Sequence, residues 1–350
     1  MRVVTFGEVM LRLCPEGHLR IRQAIPGRLE ATFGGGELNV AVSIAVQGGQ
    51  SAFLTALPDN AITDSFLQEM RRMGVDTDLV QRVASGRFGI YFVETGADQR
   101  GGTVSYDREG SSISLQPADA YDWDTAFAGA DWFHITGITP AISSVAAEAA
   151  LAAVQNAHER GLTVSCDLNF RKKLWKWRPG QPPPQLAQQT MRQLLPYIDV
   201  VIANEEDAEL TLGISATATD VESGELNLSG YEDVARQIVE QFDNVRMVAI
   251  TLRQSISASH NNWGAMLYDR PSDQAHFAPT DRSGTYAPYE IRHIVDRVGA
   301  GDSFAGGLIF ALRTEALRSP ETALSYGVAD SWLKHGSNGG LDYAERKEDE

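Results

Sequence analysis

The chain has 350 residues, 43% of them hydrophobic, with 46 acidic and 30 basic side chains and a formal net charge of −16. That is an ordinary globular composition, long enough to bury a large core. So acidic a surface repels nucleic acid and anionic membranes, but it says little about a small anion, which responds to its local pocket. In chain order, residues 3–6 predict a buried first strand ending at Gly7. Residues 11–33 alternate loosely between polar and apolar, with turns at Pro15, Gly17, Pro26 and Gly27. Residues 39–46 read as a helix stopped near Gly48 and Gly49, 51–56 as a strand, and 61–73 as a helix with Ile62, Phe66, Met70 and Met73 on one face. The β-rich runs 88–93 and 103–106 flank the glycine-rich ETGADQRGG and predict a hairpin, which with 11–33 would build a small separate sheet.

From residue 131 the rhythm is strand and helix in turn. Strands are expected at 132–135, 162–166, 199–203 and 245–252, and helices at 143–160, 206–212, 231–242, 303–315 and 320–335. Such alternation predicts an α/β fold, a doubly wound, mostly parallel sheet with helices on both faces. Residues 178–186, RPGQPPPQL, are expected to be an extended loop, because three consecutive prolines cannot continue a helix. Cys14 and Cys166 form no CxxC pair, and the opening MRVVTFGEVMLRLCPEG is too short and interrupted for a signal peptide. A reducing, cytoplasmic setting is expected, with no membrane span.

The stretch DRVGAGDSFAGG, residues 296–307, places an acid among glycines at a helix start. Backbone N–H groups of Gly299, Ala300, Gly301 and Asp302 can turn toward one point there, and the helix dipole favours an anion such as phosphate. A carboxylate beside a phosphate is repulsive unless it takes a proton from an attacking hydroxyl. Asp302 is then either a general base or a helix cap. In VIANEEDAEL, Asn204 and Asp207 follow a predicted strand and either hold water around Mg²⁺ or cap the next helix. Thr251 to Arg253 end a strand and Gly264 begins the next, so RQSISASHNNWG reads as a lengthened loop, with Arg253 either near a phosphate or in a surface insertion.

Tyr91, Tyr106 and Arg108 lie on the predicted hairpin, and Arg171 follows the strand ending in DLNF. Two arginines near a pocket suit a carboxylate on the acceptor, although arginines more often face solvent. The basic run 171–178 is interrupted by aromatics in an acidic chain, so no nucleic-acid partner is expected. His134, His158, His260 and His293 are scattered, and no direct metal ligand is assigned.

The stretch DRVGAGDSFAGG resembles the second signature of the ribokinase-like, pfkB family of sugar kinases, and GGGELNVA at 34–41 resembles the first. The resemblance covers residues 1–340 and leaves a charged tail, 341–350. It implies a ribokinase-like α/β domain with a small β-sheet lid at about 11–35 and 86–115. It implies Asp302 as catalytic base, the amides of Gly299, Ala300, Gly301 and Asp302 as anion hole, and ATP with Mg²⁺ as cosubstrate and cofactor. Many such proteins respond to K⁺ near the anion hole, and many pair as homodimers through the lid. The family's NxxE motif, with roles in magnesium and phosphate placement, is here NEED, so Asp207 stands at the glutamate position with less reach. Arg253 and Gly264 fall where the family places its ATP-phosphate turn.

Within that family, GIYFVE, SYDREGSS, HITGITPAIS and DLNFRKKLW are similar to stretches of 2-keto-3-deoxygluconate kinases. This implies that Gly35 and Asn39 meet the acceptor's hydroxyl end, and that Tyr91, Tyr106, Arg108 and Arg171 surround its keto-acid end. The implied reaction is phosphorylation of the terminal hydroxyl to the 6-phosphate. A kinase for a neutral sugar such as fructose or ribose, and a non-catalytic sugar-acid or nucleotide-binding protein, are the alternative readings.

Overall fold

A computed structural model describes residues 2–204, 206–216 and 228–344. Its strands are β1 (Arg2–Phe6), β2 (Met10–Cys14), β3 (Glu30–Gly34), β4 (Gln50–Pro58), β5 (Val80–Val83), β6 (Gly89–Glu94), β7 (Thr103–Asp107), β8 (Ala130–Thr136), β9 (Thr163–Asp167), β10 (Val200–Ala203), β11 (Met247–Ser257), β12 (His260–Asp269), β13 (Gln274–Ala278) and β14 (Tyr289–Ile291). The principal helices are α1 (Gly36–Val46), α2 (Ala61–Arg72), α3 (Ser144–Glu159), α4 (Pro183–Leu194), α5 (Asp207–Leu212), α6 (Leu228–Gln241), α7 (Ala300–Arg313) and α8 (Pro320–Lys334).

The central sheet runs β13-β12-β11-β10-β9-β8-β1-β4-β5, with β14 paired to β12. It is parallel from β5 to β11 and antiparallel from β11 to β13. Alternation along the strands splits the core into two layers, because successive side chains point to opposite faces. Val3, Val200 and Ile202 join the layer under α1, α7 and α8, while Val4, Phe6, Val201 and Ala203 join the layer under α3, α4 and α6. Both faces are therefore covered, as a parallel sheet requires.

β2, β3, β6 and β7 form a separate four-stranded sheet in the order β3-β2-β6-β7, the expected small sheet. No helix among the described residues is long and apolar enough to cross a membrane.

Four local expectations are corrected. Residues 178–186 are not all loop, since α4 begins at Pro183 with prolines at its first positions. The first helical turn has no N–H partners to lose, and the fixed proline φ suits it. α1 starts at Gly36 and α7 at Ala300, each three residues earlier than expected. Residues 253–264 are not a loop: β11 and β12 form a long antiparallel hairpin, with Ser257 opposite His260 and Gly264 inside β12 opposite Leu252. The folded chain also runs past residue 340, since Leu341, Asp342 and Ala344 are buried. The last charged residues, 345–350, lie outside the described residues.

Candidate active site

The carboxyl ends of β8, β9, β10 and β11 open into one cleft, at the point where the chain turns from β1 toward β4 on one side and β8 on the other. Ligands of open α/β sheets bind in such a crevice. A cavity of about 380 Å³ lies there, between the central sheet and the lid.

α1 and α7 begin side by side at this cavity. Their close approach is permitted by Gly306, where a Cβ would lie 2.3 Å from Ser43 Oγ. Asn39 Nδ2 donates to Asp302 Oδ2 at 2.6 Å. Gly299 caps α7 in the left-handed region, φ 90°, where glycine carries no Cβ penalty. The first turn leaves the N–H groups of Ala300, Gly301 and Asp302 without acceptors among the described residues, whereas Ser303 N donates to Gly299 O at 2.8 Å. Asp302 makes no capping hydrogen bond. Its carboxylate faces the cavity, and burial pushes its pKa up to about 6, against the opposing pull of Asn39, Arg171 and Lys334.

A second group of acids stands opposite. Asp167 ends β9, and burial together with Asp207 and Asp302 raises its pKa well above the usual carboxylate range. Asp207 is buried and its pKa is also raised by burial, but both of its oxygens are engaged: Oδ1 accepts from Phe170 N at 2.9 Å and Oδ2 from Asn204 N at 3.0 Å. Asn204 Oδ1 in turn accepts from Glu206 N at 2.9 Å. Asp207 thus ties the DLNF turn to the NEED turn. Arg171 lowers the pKa of all three acids and lines the same cavity. Its turn is anchored by the fully buried Trp175, whose N donates to Ala141 O at 3.1 Å.

Of the residues expected at the site, Gly35, Asn39, Tyr91, Tyr106 and Arg171 line the cavity, as do Asn204, Asp207, Arg253 and the run Gly299–Asp302. Gly35 has a packing reason as well, since a Cβ there would lie 2.1 Å from Glu8 O. Two expected residues are not brought to the cavity. Gly264 is packed away from it, where a Cβ would lie 2.4 Å from Tyr286 Oη. Arg108 is paired with the buried Glu8 and stacks over the Tyr106 ring at 5.4 Å. An acceptor would have to compete with Glu8 for it.

Sequence reading missed several residues. Asp167 and Asn169 line the cavity; their signal was a polar pair at a predicted strand end. Glu37, fully buried, accepts from Thr136 Oγ1 at 2.8 Å and Thr139 Oγ1 at 2.7 Å, which locks α1 to the end of β8 and so places Asn39. Arg297 lines the cavity beside Arg253 and holds the β11–β12 tip through Ala258 O at 2.9 Å.

The donor set fits Mg²⁺ held with nucleotide phosphates. Its acids offer oxygens, and the raising of Asp167 by burial, Asp207 and Asp302 marks a site that a cation would relieve. No group of three or more His, Cys, Asp or Glu side chains that could hold a metal ion occurs among the described residues.

A model of the "pfkB family carbohydrate kinase" matches residues 1–339. A 2-dehydro-3-deoxygalactonokinase of Haloferax volcanii is 32% identical over 339 residues, 97% of this chain and 92% of the relative. The solved structure of a 2-dehydro-3-deoxygluconokinase from Thermotoga maritima superposes with a TM-score of 0.88 at 41% identity, covering 100% of this chain and 98% of that one. A putative ribokinase II from E. coli, solved with ATP and Mg²⁺, shares the fold at a TM-score of 0.76 and 20% identity, covering 99% and 97%.

Proposed function

The chain belongs to the pfkB family of carbohydrate kinases, and we propose that it transfers the γ-phosphoryl group of ATP to the terminal hydroxyl of 2-keto-3-deoxygluconate, giving the 6-phosphate. One observation carries the reading most directly. Asp302 presents a carboxylate, oriented by Asn39, beside three unpaired N–H groups, in a cavity that also holds Arg171.

Asp302 takes the proton of the terminal hydroxyl as that oxygen attacks phosphorus. The amides of Ala300, Gly301 and Asp302 stabilise charge on the moving phosphoryl group. Arg171 holds the acceptor's carboxylate, and Tyr91 and Tyr106 on the lid cover its keto-acid end. Arg253 and Arg297 face the nucleotide side. Mg²⁺ would neutralise phosphate charge, and Asn204, Asp207 and Asp167 are the residues that would hold it. The lid excludes bulk water and so suppresses ATP hydrolysis.

The pH dependence follows from Asp302. Only its ionised form accepts a proton, and its pKa is pushed up to about 6. kcat/KM is expected to be lost as pH falls through about 6 and to level off above it. Asn39→Ala removes a donor that favours the charged carboxylate, so its acidic limb should move to higher pH. An acidic limb unmoved in the variant would remove Asn39 from this role.

The reading is tested by ATP consumption with Mg²⁺ against 2-keto-3-deoxygluconate, its galactonate epimer, fructose and ribose. Turnover confined to the keto acids, faster with the gluconate epimer, is expected. Turnover on fructose or ribose alone would discard the carboxylate contact while leaving the role of Asp302 in place.

A further inference from the structure

Lys334, the last residue of α8, is fully buried. An ammonium loses its hydration there unless the protein replaces it. Its Nζ donates to Ser337 O at 3.3 Å and has no other hydrogen-bond acceptor among the described residues. The charged groups that act on it are Asp296, Asp342, Arg12 and Asp302. Its neighbour His335 is buried, with its pKa pushed down to about 4, and so is neutral at pH 7.

The segment after Lys334 wraps the start of α7. Val295 N donates to His335 O at 2.9 Å, and Gly339 N donates to Asp296 Oδ2 at 3.2 Å. Ser331 Oγ donates to Ala300 O at 2.6 Å. A Cβ at Gly299 would lie 2.2 Å from Gly340 O. The end of α8 and its following turn are therefore packed directly against the residues whose amides form the anion hole. From the other side the lid reaches in, for Arg12 of β2 pairs with Asp296 at 2.5 Å, both side chains being buried.

The resemblance noted for this sequence implies a K⁺ response in this region. The residues do not fit an added alkali cation, which must be wrapped in oxygens that replace its water. Asp296 Oδ2 is held by Arg12 and Gly339 N, and Oδ1 by Val298 N at 2.9 Å. The carbonyl oxygens of Gly299, Ala300, Ser331 and Ser337 are also engaged, by Ser303 N, Ser331 Oγ, His335 Nδ1 and Lys334 Nζ. Arg12 and Lys334 already supply two positive charges among Asp296, Asp342 and Asp302.

We propose that Lys334, framed by Arg12 and Asp296, is a built-in monovalent cation that supports the anion hole, and that the protein turns over without K⁺. The inference rests on the phosphoryl-transfer reading above. Its first test is turnover of the full chain with Mg²⁺·ATP and 2-keto-3-deoxygluconate while KCl replaces choline chloride at constant ionic strength. A cation site coupled to turnover would activate by roughly 5- to 150-fold. No activation in that range is expected, and finding it overturns the proposal. Melting of the protein without nucleotide reads cation binding independently of activity, since a ligand bound to the folded state raises its stability. Equal melting temperatures in KCl and choline chloride are expected, and a rise specific to K⁺ overturns the proposal. Absence of turnover on every acceptor would sink the kinase reading alone, because the melting comparison still reports on the cation.

Lys334→Met should lower kcat and shift the acidic limb of Asp302 to higher pH. A Lys334→Met protein with parental kcat and parental pH limb overturns the role of the ammonium. Lys334→Arg, which keeps the charge, should hold both closer to the parent. Should the methionine variant fail to fold, the salt titrations of the parent decide.

Discussion

Asp302→Asn is expected to lower kcat by about 10²- to 10⁴-fold, the usual worth of a positioned general base, with little change in KM for either substrate. Asparagine keeps the size of the side chain and can still pair with Asn39, so the helix start and the amide cluster persist. What is lost is the group that accepts a proton. The capping role weighed for this acid predicts the opposite, since asparagine is as good a cap as aspartate. The geometry already disfavours it: Gly299 is the capping position, and the carboxylate of Asp302 accepts from Asn39 instead of from its own helix. Steady-state kinetics beside a melting curve separate the two, and an Asp302→Asn protein with parental kcat would eliminate the base.

Arg171→Ala should raise KM for the keto acid by about 10- to 150-fold, the range of a charge-assisted hydrogen bond at about 1.5–3 kcal/mol, while KM for ATP stays near its parental value. Among the described residues Arg171 makes one hydrogen bond, at 3.5 Å to its neighbour Phe170 O, and it is exposed at the cavity. It is therefore available to a ligand. Arg108→Ala should behave differently. Its guanidinium is committed to Glu8, and removing it strands a buried carboxylate, at a cost of up to about 3–5 kcal/mol. The expected result is a lower unfolding midpoint. Equal effects of Arg171→Ala on both KM values would argue that Arg171 serves the phosphates and not the acceptor.

The contrast between these arginines shows how far the sequence could be read. Tyr106 and Arg108, both expected on the hairpin, do meet, although Arg108 lies one residue past the end of β7. Nothing local announced that Glu8, 100 positions away, would take the guanidinium. The triple proline was misread for a local reason: a rule about helix interiors was applied to a helix start. Only the tip of the hairpin, 253–264, departs from expectation, because polar serines and asparagines look like loop, whereas ladder pairing with the facing strand holds them extended.

What the sequence determined by itself is what contiguous residues encode. The alternation of strand and helix, the alanine-rich α3, the glycine-to-acid entry into α7 and the two motif stretches are all short-range patterns, set by side-chain period and backbone freedom. The tertiary structure decided which of these meet. Asn39 and Asp302 are 263 positions apart and pair because α1 and α7 pack closely at Gly306. Asp167 and Asp207 become a pair of strained acids only when β9 and β10 lie side by side and water is excluded. Arg12, Asp296 and Lys334 converge from the lid, the motif and the last helix. Such meetings depend on strand register and helix packing, which are properties of the whole chain, and burial then sets the charge state of each group.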